Sequence, residues 1–477
     1  MLSELTSFNR NRLRPSVTVE KTIADIYGKE RTDQATGCLE PKPPTRTQAL
    51  DAARAAAEAA IAARTNDYAR GEGGRWALIE RDERLTASAD ACHGRCFGFE
   101  EERATWAAPR LALGSAAEAR PGYNSMSKSE YLEDDATLKA KVAHVARLLK
   151  MANCPVVYAG AGLSTAAGIG DYASVKPLAQ LGGSPMLAQP TLGHRVLAAL
   201  GRAGHVKRVI QQNHDGLPQK AGMPQQLVNE IHGALHDPSN PVVPMSGNLR
   251  SDLFADLLDC EARADLTIAV GTSLCGMNSE RCVATPAAKA ARGQALSAIV
   301  VGLQRTVMDE RATVRIFATI DRTFELLADA MGLEVPPAAP GFFRPAVLGD
   351  DAAGDDTYVL CGLRYDARGR RCKEPNWALD VRDGAQLVLA AGPHAGARGE
   401  VDGTDREGAP KCRFKVRLKK SATALHPWSA PLGLWHLQAA ADATVAQLPV
   451  VNPPADDDTS EAAEAVRALV AAYAAGE

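Results

Sequence analysis

Long apolar runs are missing from this chain of 477 residues. No stretch of about 18 consecutive apolar residues occurs, so no segment reads as a membrane-spanning helix. An excess of charge is missing too: 54 basic residues stand against 57 acidic ones, a formal net charge of -3. That balance gives no chain-wide attraction to nucleic acid or to an anionic membrane. Paired cysteines are scarce. The ten cysteines are scattered, and a chain of this length buries a core without disulfide staples. The closest pair, Cys92 and Cys96 around His93, has no second pair beside it to complete a tetrahedral zinc site. Met1-Leu2-Ser3-Glu4 lacks the apolar core of a secretory signal, and Glu4 and Glu20 argue against a transit peptide despite Arg10, Arg12 and Arg14. The expectation is a reducing compartment, cytosol or nucleus.

What is present is ordinary for a folded chain, 45% hydrophobic and 23% charged. The length suits two or three domains. Residues 1–125 are weakly patterned and read as a helical, partly disordered extension, with an alanine-rich helix over Ala49–Arg64. No function follows from them. Residues 126–335 alternate short apolar runs with amphipathic helices. Strands are expected at Pro155–Tyr158, Val206–Ile210, Leu227–Ile231, Leu266–Val270, Ala298–Val301 and Val314–Phe317. Helices are expected over Leu138–Met151, Leu192–Arg202, Ser251–Ala262, Thr285–Arg292 and Thr323–Met331. That alternation predicts an α/β fold with a doubly wound parallel sheet. A Pro-rich linker occupies 336–355. Residues 356–450 hold short β-like runs broken by turn signals such as Asp383-Gly384 and Gly392-Pro393, which predicts a small all-β barrel. An acidic tail and helix (Glu461–Ala475) fill 451–477.

In a parallel sheet, ligands bind at the carboxyl ends of the strands. The first strand runs into Gly160-Ala161-Gly162-Leu163-Ser164 and then Gly168-Ile169-Gly170-Asp171-Tyr172. The second ends in Gln211-Gln212-Asn213-His214-Asp215-Gly216, the third in Asn229-Glu230-Ile231-His232-Gly233, the fourth in Gly271-Thr272-Ser273. Each collects glycines, amides, hydroxyls or carboxylates able to bind a polar ligand. The third glycine of a dehydrogenase fingerprint falls at Thr165, and no acidic residue follows some twenty positions on, so hydride transfer is disfavoured. A phosphate cradle made of backbone N–H groups and a following helix N-terminus remains.

The order and spacing of these motifs resemble the sirtuins. The likeness runs from about residue 137 to 333 and ends with Leu303-Gln304, Thr306 and Asp309. It implies an NAD-dependent protein-lysine deacylase that releases nicotinamide and O-acyl-ADP-ribose. By position, Gly160, Ala161, Gly162 and Ser164 would hold the NAD phosphates. Asn213 and Asp215, with Ile169 and Asp171, would form the nicotinamide pocket, Gly271 and Ser273 would contact the adenine-side ribose and phosphate, and Gly168, Tyr172, Gln212 and Thr272 would also bind NAD. His232 would be the general base, a task that an imidazole of ordinary pKa near 6.5 suits. A histidine before glycine standing alone would read as a capped strand end.

The chain also departs from that pattern. Gly170, Tyr172 and Ala173 stand where sirtuins usually carry Pro, Phe and Arg, His214 and Pro218 replace the usual Ile or Val and His, and Gly302 replaces an asparagine. Between His232 and Gly271 only Cys260 remains, so a four-thiolate zinc site cannot form in that segment. No metal is expected. Asp237–Gly247 stands in the module's place and is expected to form the edge for an acyl-peptide. Two other outcomes stay open: an NAD hydrolase or ADP-ribosyltransferase, and a non-catalytic NAD or ADP-ribose sensor. Asp383–Leu389 and Gly392–Val401 resemble the KOW motif of SH3-like barrels, which implies an RNA or protein partner. Arg413, Lys415, Arg417 and Lys419 alternate onto one strand face there; a solvated strand face reads equally well.

Overall fold

The computed structural model describes residues 88–453 and Ala468, apart from 116–117, 121–122, 171–184, 245–246, 276, 339–342, 349–357, 375–376 and 418–424. The helices expected over Ala49–Arg64 and Glu461–Ala475 lie outside the described residues, as do Asp171, Tyr172 and Lys419.

Two short hairpins precede the main sheet. Strand β1 (Arg110–Leu113) pairs with β4 (Glu130–Leu132), and β2 (Glu118–Arg120) with β3 (Tyr123–Ser127). The main sheet holds β5 (Pro155–Ala159), β6 (Arg208–Gln211), β7 (Val228–Glu230), β8 (Leu266–Val270), β9 (Ser297–Val301) and β10 (Val314–Ile316), all parallel, in the order β10-β9-β8-β5-β6-β7. Every residue of β5, β8 and β9 is buried, as continuous apolar runs covered on both faces demand. Helices Asp135–Met151, Leu192–Arg202 and Ile320–Met331 cover one face. Helices Ser251–Arg263 and Arg281–Ala290 cover the other. The chain runs outward from β5 through β6 and β7 and returns to β8 on β5's other side. The crevice between β5 and β8 is therefore the topological switch point, where such sheets bind ligands.

Most expected elements fall within a few residues of the observed ones. The largest shift is the helix read as Thr285–Arg292, which spans Arg281–Ala290 with Pro286 inside it. A proline there orphans the carbonyl four residues back. That carbonyl, of Cys282, is taken by the Thr267 hydroxyl of β8 at 3.0 Å, so the helix runs through the proline.

The part of the N-terminal extension from residue 88 onward is ordered against the sheet. The Arg95 and Cys96 N–H groups donate to Ala312 and Thr313 carbonyls beside β10, and Ala91, Cys92 and Cys96 are buried. Lys141, wholly buried, ties this layer together by donating to Glu133, to the Cys92 carbonyl and to the Arg315 carbonyl. Such a charge is tolerated only where its partners are in place.

Beyond the parallel sheet, β11 (Val359–Leu363) pairs with β12 (Trp377–Asp380). A five-stranded antiparallel sheet follows, with β13 (Gln386–Leu389), β14 (Arg398–Thr404), β15 (Pro410–Arg417), β16 (Leu425–Pro431) and β17 (Val450–Val451) in the order β16-β15-β14-β13-β17. Along β15, Cys412, Phe414 and Val416 are buried while Arg413 and Lys415 are exposed, as period-two alternation predicts. No helix among the described residues is long and apolar enough to cross a membrane.

Candidate functional site

The loop after β5 passes so close to the loop after β8 that a Cβ on Gly162 would sit 2.8 Å from the Gly271 Cα. The Gly162 N–H donates to the Gly271 carbonyl at 2.8 Å, and the Gly160 N–H to the Val270 carbonyl at 2.9 Å. These glycines therefore fuse two strand ends, and their N–H groups are spent on that contact. Two of the N–H groups expected to face phosphate, those of Gly160 and Gly162, are thus taken within the chain. The expected helix N-terminus behind them is also replaced, by two 3-10 turns at Ala161–Leu163 and Thr165–Ala167, with Gly168 left-handed at φ 80°. Ile169 donates its N–H back to the Ser164 carbonyl.

Ser164 is wholly buried at the centre of the site. Its hydroxyl donates to Asp215 Oδ2 at 2.7 Å and accepts from Asn213 Nδ2 at 3.1 Å. The Asn213 amide also donates to the Gly160 carbonyl, and Gln212 Nε2 donates to Thr272 Oγ1, both at 3.0 Å. Asp215 Oδ1 accepts the Leu217 N–H at 3.0 Å. The ends of β5, β6 and β8 are thus one hydrogen-bonded ledge. Leu274, just past Ser273, holds a φ of 49°, a strained value for a leucine and one found where a site constrains the backbone.

The sequence reading missed His194, which completes this ledge. The Thr191 N–H lies 3.2 Å from His194 Nδ1, which assigns that nitrogen as acceptor and leaves the ring proton on Nε2, 3.4 Å from Ser164 Oγ. Burial lowers the His194 pKa to about 4, so the ring stays neutral. Thr191-x-x-His194 before an amphipathic helix has the form of a capping box with histidine at the third position, and that was the available signal.

His232 follows β7 and is half-buried. Its Nε2 lies 3.5 Å from Ser279 Oγ. The His232 carbonyl accepts the Val243 N–H and the Ala234 N–H donates to the Asn240 carbonyl, so the chain over 237–243 doubles back on the His232 segment. His214 Nδ1 donates to the Gly233 carbonyl at 2.9 Å, joining the β6 and β7 loops.

Past this edge sits the C-terminal sheet. The Gly433 N–H donates to the His236 carbonyl at 2.8 Å, and the Trp435 and His236 rings lie edge-to-face at 5.3 Å. Lys220 Nζ and Glu407 Oε1 pair at 2.6 Å with both side chains nearly covered. Gly392, at φ 80°, abuts the Ser239 carbonyl so closely that a Cβ would overlap it at 1.7 Å. Burial and the Lys220 and His436 charges lower His236 to about 3. Burial, with Asp237 and Asp215 nearby, pushes Glu230 up to about 8.

A family model described as the Sir2 family matches residues 183–239, across the segment that carries His194, Asn213, Asp215 and His232. Over that segment the chain is similar to the Sir2 family. It is 26% identical over 286 residues to the NAD-dependent protein deacetylase SRT1 of Arabidopsis thaliana, covering 50% of this chain and 59% of that one. To human NAD-dependent protein deacetylase sirtuin-7 it is 37% identical over 117 residues, 23% of this chain and 29% of the relative. The chain spans less than two thirds of the length of these sirtuin relatives. A solved structure titled "Sir2-p53 peptide-NAD+" is 23% identical, covering 40% of this chain and 98% of that one with a TM-score of 0.35. Another, "Sir2 bound to acetylated peptide", has the same identity, coverage and TM-score.

Proposed function

We propose that the chain is an NAD-dependent protein-lysine deacylase that releases nicotinamide and O-acyl-ADP-ribose. The observation that carries this reading is the convergence of Ser164, Asn213 and Asp215 on one ledge, with His232 on the adjoining strand end. The ledge offers amides, hydroxyls and one carboxylate, which fit an amide ring substituent and sugar hydroxyls. The relatives named as NAD-dependent deacetylases point the same way.

When bound, NAD would supply an anomeric carbon with nicotinamide as its leaving group, open to the acyl oxygen of a substrate lysine. Asn213 and Asp215, held by Ser164, would bind the nicotinamide side together with Ile169, and Gly168 and Gln212 would also contact NAD; Asp171 and Tyr172, expected to join them, lie outside the described residues. Gly271, Thr272 and Ser273 would contact the adenine-side ribose and phosphate, and the Gly160–Ser164 loop would meet the NAD phosphates through groups other than the Gly160 and Gly162 N–H. His232 accepts the proton of a ribose hydroxyl, freeing that oxygen to receive the acyl group. The domain works without the zinc module: Cys260, the one cysteine left in that segment, is buried in the helix core.

The same reading divides the chain into a catalytic domain over 126–335 and an SH3-like barrel over 356–450, in a cytosolic or nuclear protein. The barrel offers its exposed β15 face to an RNA or protein partner. Acids temper that face: Arg413 pairs with Asp402 and lies opposite Glu400.

NAD hydrolysis or ADP-ribosyl transfer is the second reading. The doubled-back chain over 237–243 favours it, because Val243 already takes the His232 carbonyl at the edge an acyl-peptide would need. Incubating the full chain with NAD, with and without an acyl-lysine peptide, separates these outcomes by mass. Nicotinamide and O-acyl-ADP-ribose formed only with peptide mean deacylation. Free ADP-ribose without peptide means hydrolysis, and ADP-ribose added to protein means transfer.

A further inference from the structure

We propose that Tyr158 and Ser279 are positioning residues for His232, a two-hydroxyl relay that runs from the core of the parallel sheet to the imidazole. The inference rests on the reading of His232 as the base.

Tyr158 lies on β5 among Ile210, Ile231, Ala269 and Leu274, with no exposed surface. A phenylalanine would fill that apolar space as well. A phenol there must find a partner for its hydroxyl or bear the cost of desolvating it. Tyr158 Oη finds Ser279 Oγ at 2.7 Å. Ser279, also wholly buried, sits in the Asn278–Glu280 turn that opens the Arg281–Ala290 helix. The same Oγ lies 3.5 Å from His232 Nε2. Three residues from three segments of the chain therefore line up, and the last is the ring nitrogen of the base.

The phenol is the protonated end of the proposed relay. Burial, reinforced by Glu280 and Cys282, holds the Tyr158 pKa well above its usual 10, so the hydroxyl keeps its proton. Either hydroxyl can donate across the Tyr158–Ser279 contact; in the proposed relay Tyr158 donates, which leaves the Ser279 proton to face Nε2. At 3.5 Å this contact is long for a hydrogen bond. It orients the ring through the Nε2 lone pair weakly enough for a substrate hydroxyl to displace it.

A donor to the neutral imidazole disfavours the charged form. Removing it raises the His232 pKa. Tyr158→Phe and Ser279→Ala in the full chain should therefore move the His232 ring-proton NMR titration to higher pH. The acid limb of kcat/KM should move with it. We expect kcat to fall about tenfold while the NAD dissociation constant holds, as suits a group that orients a base and touches no substrate. Ser279→Thr, which keeps the hydroxyl, should restore the titration. Tyr158→Phe is close to isosteric, and its thermal unfolding checks that the fold survives. A His232 titration that stays at the wild-type midpoint in both variants overturns the relay. An inactive wild-type chain overturns the deacylase reading instead, and the NMR titration still decides the relay.

Discussion

The Ser164 hydroxyl donates to Asp215 Oδ2 at 2.7 Å, joining residues 51 positions apart at the ends of β5 and β6. Asn213 and His194 converge on the same oxygen, so one buried serine sets the orientation of an amide and a carboxylate together. Ser164→Ala should leave Asp215 and Asn213 short of a partner each, destabilising the fold by about 1–3 kcal/mol. The KM for NAD should rise more than kcat falls. Urea unfolding and initial rates check both; a variant with unchanged NAD affinity would free Asp215 from this role.

His194→Ala should act in the same direction and more weakly, because its Nε2 contact is longer at 3.4 Å. His194→Gln, which can keep a donor near Ser164, should recover part of the loss. Equal NAD affinity in both variants would reduce His194 to a helix cap.

Trp435 and Glu407 dock the C-terminal sheet on the loops that follow β6 and β7. Trp435→Ala should destabilise the protein by about 3–5 kcal/mol, as large-to-small core changes do. It should also lower kcat, since Gly216, which the ring covers, adjoins Asp215. Glu407→Gln strips the charge partner from Lys220, a nearly covered ammonium, and should cost a comparable amount. Chemical denaturation with parallel rate measurements tests the pair. A Trp435→Ala protein with full activity would mean that the sheet lends nothing to the site.

Two buried groups give opposite pH slopes. Glu230 ionises near 4.5 when exposed and near 8 when folded, so the unfolded chain releases its proton first. Stability from this group is complete below 4.5 and falls as pH rises toward 8. Glu230→Gln removes the slope and should gain about 1–3 kcal/mol at pH 7.5. His236 goes the other way: exposed it takes a proton near 6.5, folded only near 3. Its contribution is complete above 6.5 and is lost as pH falls through that window. Denaturation curves at pH 5 and 8 for wild type and each variant read both slopes. Parallel pH dependence in wild type and Glu230→Gln would remove Glu230 as the cause.

The parallel sheet was legible because β5, β8 and β9 are continuous apolar runs between amphipathic helices, and that pattern has few other readings. The strand-end motifs were legible for the same reason: once strands are placed, their carboxyl ends are the place to look. The turn of the Pro286 helix before Thr285 was not, because its repair by Thr267 comes from another strand. The close approach of Gly162 to Gly271 was not legible, because a glycine that fuses two strand ends looks like any other loop glycine in sequence. His194 and Ser279 are invisible as site residues until the fold brings them to Ser164 and His232. The docking of Trp435 on His236 joins segments some 200 positions apart, beyond any local pattern.

The measurement that bears most directly on the account compares wild type with His232→Ala in one assay, following NAD, nicotinamide, peptide and ADP-ribose products by mass. The account predicts equal amounts of nicotinamide and O-acyl-ADP-ribose from wild type with an acyl-lysine peptide. It predicts no acyl transfer from His232→Ala, with any residual nicotinamide release confined to NAD cleavage. Full deacylation by His232→Ala would contradict it.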